Sequence, residues 1–553
     1  MHPVLKTVAL LAAMATTACA TEPPKPVAVN IAAINDLHGY LQPNTFTYRD
    51  ANGQVHRVQA GGIATLGGML DQLRAQDPQL VFVGGGDMVG GSPPLSAMWA
   101  DEPTLLALRG MGLRLSALGN HELDNGKGEL LRKINGGCQS PLVTKACQYQ
   151  PQYAGSGFPY LAANLMDTDT GTPLLPAYRV ETVHGVKVAF VGAVLRNVAK
   201  KLSVRGMQGL KATDEAEAIN AVIPELKAQG VNAIVAMVHL GGETPEAYDQ
   251  QNCQHLSGPI VEVAKHLDPA VDVLLSADSH EGYLCKVGPL LVTQASSYGH
   301  LMTHLMLEVT PGTHHVTTIR AQNLLVDPGK YPPDAKMAAL QQTIETRSNA
   351  ILLRPAGTPG APEIRAAVDA NGESPLGDLI ADAQLAMTRP LGAQIALTNP
   401  GGIRNNLILT PGQTQLTYAQ VASTQPFNNE LILLNLTGAQ LKAVLEQQWQ
   451  GSVFRPLQIS KGFSYRWDPK HPLGDRIVPG SMRFSGKAVA PGQRYRLVMN
   501  NFLADGGDGF DVFRQGVQRQ GTGMIDLDAL LAYLAQQPEA GAATSAGRVS
   551  SVR

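Results

Sequence analysis

The strongest constraint on the fold is a set of short apolar runs that end in polar chemistry. "VAVNIAAIND", "LVFVGGGD", "VKVAFVGAV", "NAIVAMVHL" and "VDVLLSADSH" are strand-like, and most end directly in Asp, His or a glycine turn. Between them, "GGIATLGGMLDQLRAQ" and "DEAEAINAVIPELKAQG" read as helices. Buried strands alternating with helices predict a layered α/β domain from about Val27 to Val309. Its polar strand ends converge on one side, where open α/β sheets hold their sites.

The octet "GNHELDNG", residues 119 to 126, follows the strand-like "LRLSAL" and is the densest of these ends. A zinc-protease helix would need a second histidine four residues after His121 so that both imidazoles share one face. That position is Asn125, so the octet is a loop and not that helix.

Further ligand types stand at the other strand ends. "NDLHG" places Asp36 and His38 two apart, hence on one side of an extended segment. "GGGDMVGGSP" supplies Asp87; its glycines suggest a phosphate loop, but no Gly-Lys-Ser/Thr follows. "MVHLGGE" supplies His239, and "SADSHEG" supplies Asp278 and His280. Imidazole and carboxylate donors without thiolates suit Zn²⁺, Mn²⁺ or iron better than Ca²⁺. A carboxylate can bridge two such ions roughly 3.5–4 Å apart, the geometry that serves displacement at phosphorus.

D-x-H, GD, GNHE and a final x-x-H together resemble the calcineurin-like metallophosphoesterases. "NDLHG", "GGGD", "GNHELDNG" and "FPYLAANL" (Phe158 to Leu165) narrow the resemblance to the 5′-nucleotidase family, including periplasmic UDP-sugar hydrolases. It implies a four-layer metallophosphoesterase sandwich followed by a mixed α/β substrate-binding domain. It also implies two divalent ions (Zn, Mn, Co or Mg). Asp36, His38, Asp87 and His280 would hold the first, and Asn120, His239 and Asp278 the second, with Asp87 bridging. His121 would be the catalytic imidazolium, oriented by Asp124, with Glu122 structural. The chain departs from the family at Ala277-Asp278-Ser279-His280, where Gly-His-x-His or Gly-His-x-Gln is usual. Asp278 adds negative charge, which is expected to favour Mn²⁺ or Mg²⁺ over Zn²⁺ and to weaken the second site.

The second half carries "TNPGGIRNN", "TQPFNNELILLNLTG" and "NNFLADGGDGF". Glycine turns explain the glycines but not Arg404, Phe427, Phe502 and Asp508 lying in or beside them. The resemblance makes Phe427 and Phe502 a clamp for a nucleobase, Asp508 the ribose acceptor, Asn399 a base contact and Arg404 a phosphate contact; Asn429 of "PFNN" joins the substrate site. A family arginine shortly before Glu373 is missing here, where Ala370 and Gly372 stand; Arg365 is nearby but out of register.

The rest of the chain sets boundaries. At 553 residues it exceeds one ordinary domain. A net charge of −2 gives no general reason to expect nucleic-acid polymers or anionic membrane as partners. "MHPVLKTVALLAAMATTACATEPPKP" reads as an export signal too short to span a bilayer. "TTAC" resembles a lipobox that would lipidate Cys19 and anchor the protein; simple cleavage is the alternative. This predicts a periplasmic location. Cys138, Cys147, Cys253 and Cys285 remain, an even number that favours disulfides in three possible pairings; Cys138–Cys147 with Cys253–Cys285 is the pairing we expect. The expected domains are a signal at 1–19, the phosphoesterase domain at 27–325, a linker with one helix at 326–362, the substrate domain at 363–534 and a tail at 535–553.

The resulting expectation is an exported dinuclear phosphohydrolase acting on nucleotides, with UDP-sugars or cyclic nucleotides as further substrates. The alternatives are a phosphoesterase for another ester and a weakly catalytic nucleotide-binding surface lipoprotein. Oligomeric state is left open.

Overall fold

The structure, a computed structural model, describes residues 25–202, 206–312, 316–450 and 453–552. The export signal and Cys19 lie outside these residues. Among the described residues no helix is long and apolar enough to cross a membrane.

Two sheets face each other in the first domain. One runs in the order Val316–Leu325, Leu301–Val309, Val27–Ile34, Val81–Gly84, Leu113–Ala117, Tyr160–Leu161. The other runs Gln251–Cys253, Gly282–Val287, Leu290–Ala295, Val273–Ser276, Ala233–His239, Val186–Val194, Tyr178–Val183. Their inner faces share one core in which Ile31, Val83 and Leu115 meet Phe190, Val235 and Met237. Strands at the centre of each sheet are parallel. They are buried on both faces, which accounts for their continuous apolar runs. Helices Ile63–Gln76 and Glu215–Ala228 belong to a second core on the outside, completing the expected four layers.

Residues 326–362 are not a free tether. Helix Ala335–Leu352 lays Met337, Ile344 and Leu352 into the outer core of the first domain. Trp99 Nε1 donates to Ser348 Oγ at 2.9 Å, and Arg347 Nη1 to the Tyr149 carbonyl at 2.6 Å. The approach explains Gly68 inside the neighbouring helix, because a Cβ there would run into the Pro332 carbonyl. Glycine mid-helix costs about 1 kcal/mol against alanine, so close packing is its reason for being there.

The second domain is built on a sheet in the order Gln458–Ile459, Ile395–Thr398, Arg494–Asn500, Glu430–Thr437, Val517–Ile525. Helices Pro375–Thr388 and Asp526–Gln536 pack together beside it. Helix Gly438–Glu446 belongs to a separate core with Phe463, Tyr465 and Trp467. The segment read as a tail joins this domain. Val549–Ser551 pairs in parallel with Phe463–Trp467, and Arg548 grips both oxygens of Asp382 at 2.9 and 2.8 Å. Both disulfides form as expected, Cys138–Cys147 and Cys253–Cys285.

Candidate active site

The loops that leave adjacent parallel strands are tied to one another. Asp36 N donates to the Gly86 carbonyl at 3.0 Å, and His38 N to that of Asp87 at 2.9 Å. Glu122, fully buried, fastens a third loop: its carboxylate accepts from Asp87 N at 2.9 Å, Met88 N at 2.7 Å and Gly119 N at 2.8 Å. Burial and the neighbouring Asp87 push this carboxyl up to about 7. Gly119 is required because a Cβ there would collide with the Asp87 carboxylate.

The ties hold an unusual backbone. Asp36, His38, Asp87, Asp278 and His280 have φ of 49°, 47°, 52°, 73° and 62°. Left-handed non-glycine residues cost about 1–3 kcal/mol each and gather at functional sites. The expectation of an extended Asp36–His38 segment is therefore corrected. The two side chains do share one side, but a left-handed turn brings them there, not the alternation of a strand.

These turns aim their side chains at one point. His38 Nε2 lies 3.1 Å from His280 Nε2 and 3.7 Å from Asp87 Oδ2. Asp87 Oδ2 is 3.1 Å from His239 Nε2, and Asp36 Oδ1 is 3.6 Å from His280 Nε2. His38 Nδ1 and His239 Nδ1 are spent on the carbonyls of Gly90 and Gly85, at 2.7 and 2.9 Å. Their Nε2 atoms are thereby turned toward the cluster, the orientation a metal-binding histidine needs. Asp36 Oδ1 and Asn120 Oδ1 are buried with no hydrogen-bond partner. Burial disfavours charge on His239, yet Asp87 and Asp36 outweigh it and raise the imidazole to about 10. Burial keeps His38 and His280 neutral, well below the usual histidine range. A cage that draws positive charge and presents free lone pairs fits divalent ions. Asp36, His38, Asp87, His239 and His280 fall into overlapping ligand groups that share Asp87 or Asp36, as a dinuclear centre requires.

His121 stands beside the cage. Its Nδ1 contacts both oxygens of Asp124 at 3.0 Å, and its backbone N donates to Asp87 Oδ1 at 2.8 Å. Burial opposes its charge, but Asp124 and Asp87 prevail and raise its pKa, so the imidazolium form is favoured. The ring also lies within ligand reach of His38 and Asp87.

Asp278 departs from expectation. It falls in none of the ligand groups; both its oxygens are held by Lys201 Nζ, at 2.6 and 2.8 Å. Its Oδ1 is 3.9 Å from His239 Nε2. The extra negative charge expected there is thus compensated. Nothing in "NVAKKLSVR" marked Lys201, which reads as an ordinary loop lysine. Arg455, on the cleft wall, was likewise invisible.

The second domain closes over this cluster, and one cleft of about 800 Å³ holds residues of both. Asn399, Arg404, Phe427, Asn429, Phe502 and Asp508 all line it. Asn399 and Phe502 follow two parallel neighbouring strands, which brings them to the same edge. The Phe427 ring stacks on His121 with centroids 5.5 Å apart at 15°. Arg404 sits over Phe427 at 5.7 Å, with Nη2 3.5 Å from His38 Nε2. Asn399 is engaged at both ends, donating to Asp508 Oδ2 at 2.7 Å and accepting from Asn500 Nδ2 at 3.0 Å. It orients Asp508 in this arrangement. Arg365 is exposed and paired with Glu363 at 3.4 Å, away from the cleft.

Comparisons with known proteins agree with this geometry. Residues 29–282 match the calcineurin-like phosphoesterase family, and residues 355–515 the 5′-nucleotidase C-terminal domain. The chain is 32% identical over 530 residues to Endonuclease YhcR of Bacillus subtilis, covering 96% of this chain and 41% of that protein. It therefore spans less than half the length of that relative. It is 25% identical to a 5′-nucleotidase of Vibrio cholerae over 96% of each chain. The solved 5′-nucleotidase precursor of Thermus thermophilus aligns with a TM-score of 0.75 at 25% identity, over 95% of this chain and all of the other.

Proposed function

We propose that this chain, which belongs to the calcineurin-like metallophosphoesterase and 5′-nucleotidase family, is a metal-dependent phosphoric ester hydrolase that releases phosphate from nucleotides outside the cytoplasm. The observation that carries the nucleotide reading is the shared cleft. An aromatic ring, an arginine and an oriented carboxylate from one domain meet the metal cage of the other.

When bound, the ions supply Lewis acidity and a nucleophile from water at neutral pH. Asp36, His38, Asp87 and His280 would hold one ion; Asp87, Asn120 and His239 would hold the other. His121 donates from its imidazolium to a phosphoryl or leaving-group oxygen, where developing negative charge is stabilised most. Asp124 fixes the ring and, with Asp87, raises its pKa against the opposing effect of burial. Arg404 contacts the phosphate with a planar pair of donors. Phe427 and Phe502 stack on the base, and Asp508 accepts from ribose hydroxyls. An export route is supported by the two disulfides, which persist in oxidising compartments.

The test is phosphate release from nucleoside monophosphates, UDP-sugars, cyclic nucleotides and an aryl phosphate, before and after chelation with single-metal add-back. We expect activity to vanish on chelation and to return on adding back a single divalent metal ion. An oligonucleotide belongs in the panel, because the name of the Bacillus relative raises diester cleavage as a second reading. Activity on the aryl phosphate but on no nucleotide would sink the nucleotide reading.

A further inference from the structure

The second metal position is flanked by a cation of the protein's own. Lys201 Nζ binds both oxygens of Asp278, and the shorter contact, 2.6 Å, is to Oδ1. Oδ1 is also the oxygen that faces the cage, 3.9 Å from His239 Nε2. The rest of the residue is fixed. Its backbone N donates to Asp36 Oδ2 at 3.0 Å, in a left-handed conformation with φ of 73°. The oxygen that Asp278 turns toward the cage is therefore one that the ammonium already holds. Lys201 follows the short helix Val198–Lys200, which packs on Gly507–Gly509 of the second domain. The pair thus lies where the two domains meet, beside Asp508.

Resting on the dinuclear reading above, we propose that Lys201 competes with the second ion for Asp278, so that this protein holds its two ions with unequal affinity. The first position has Asp36, His38 and His280 to itself and shares Asp87. The second has Asp87, Asn120 and His239, and must take Asp278 from an ammonium or do without it. Lys201 acts through Asp278 and is a positioning residue. Its effect has a definite sign. If it merely oriented Asp278 as a ligand, removing it would weaken the second ion. As a competitor, its removal frees a carboxylate and takes away a repelling charge, so binding tightens.

The experiment is calorimetric titration of Mn²⁺ into the chelated full-length protein, with bound metal measured by elemental analysis after dialysis. Wild type should take up one ion tightly and a second at least about tenfold more weakly, because a fixed positive charge a few ångströms from a divalent ion is strongly unfavourable in a partly buried site. Lys201→Met should tighten the second ion by about tenfold or more while leaving the first unchanged, and Lys201→Arg should behave as wild type. Adding Asp278→Ala to Lys201→Met should cancel the gain. Should Lys201→Met not fold, Lys201→Gln, neutral and polar, is read the same way. A second affinity that stays the same or weakens in the neutral variant overturns the proposal. Failure of the wild type to bind any metal would instead remove the dinuclear reading.

Discussion

Replacing Glu122 by alanine tests whether the cage is held by its hydrogen bonds. The side chain accepts from four buried backbone N–H groups on two loops, three of them short, those of Asp87, Met88 and Gly119 at 2.7 to 2.9 Å, and Val89 N at 3.4 Å; the three short bonds set the magnitude. A buried donor left without a partner costs about 1–3 kcal/mol, so the change totals ~3–9 kcal/mol before relaxation. Water entering the space left by the side chain brings the expectation to the lower end, about 3 kcal/mol. In a domain of this size each kcal/mol moves the melting temperature by about 2–4 °C, giving a fall of about 6–12 °C. Glutamine keeps the shape and one acceptor, so Glu122→Gln should lose roughly half as much. Thermal unfolding of chelated protein isolates this term from metal binding, and elemental analysis after reloading then shows whether the cage still closes. Glu122→Ala should also retain less metal, since Asp87 and Asn120 sit on the loops it ties. A melting curve that overlays the wild type, together with full metal content, refutes the reasoning.

Other perturbations separate the remaining roles. His121→Ala should lower kcat about 10²–10³-fold with metal content intact; loss of metal would reassign His121 as a ligand. Phe502→Ala should raise KM for nucleoside monophosphates about tenfold and spare an aryl phosphate, since stacking on a base is worth ~1–3 kcal/mol. Phe427→Ala should impair both substrates, because its ring stacks on His121; an effect confined to nucleotides would show that this contact has no catalytic bearing. Asp526, buried beside Asn429, has its carboxyl pushed up to about 7 by burial. A raised carboxyl contributes stability that is complete below its unfolded value near 4 and lost as pH rises through about 7. The stability of wild type relative to Asp526→Asn should therefore decline between about pH 4 and pH 7, then level off. Parallel denaturation midpoints across that range would exclude it.

Much of the molecule is legible in the sequence where information is local. Apolar runs of strand length mark the central strands, and most end within a few residues of a candidate ligand, so Asp36, His38, Asp87, Asn120, His239 and His280 can be found without a fold. Backbone conformation is not local in that sense. The left-handed turns at Asp36 and His38 exist because the neighbouring loop supplies carbonyls at the right places. Periodicity holds no trace of that partner. Lys201 escapes for a related reason. It meets Asp278 across 77 residues of chain, and a lone lysine in a loop carries no pattern. Composition also misleads at the joints. Proline and glycine suggest a loose connector and a tail, yet Met337, Ile344 and Leu352 pack into a core, and Arg548 anchors the terminus. The apolar and charged residues that do this are too sparse to register as a period.

The left-handed ligands have a consequence for how such proteins age in evolution. At Asp36, His38, Asp87 and His280, selection for stability and selection for chemistry ask for different residues. Glycine or asparagine adopts this backbone at little cost, and only the need for a donor atom keeps a carboxylate or imidazole there. While the chemistry is used, these positions cannot drift. Once it is not, glycine there relieves backbone strain and needs no compensating partner. A lineage that has abandoned catalysis while keeping the fold should therefore first accumulate glycine and asparagine at these strand ends, well before its apolar strands change. In this chain all four retain their donors.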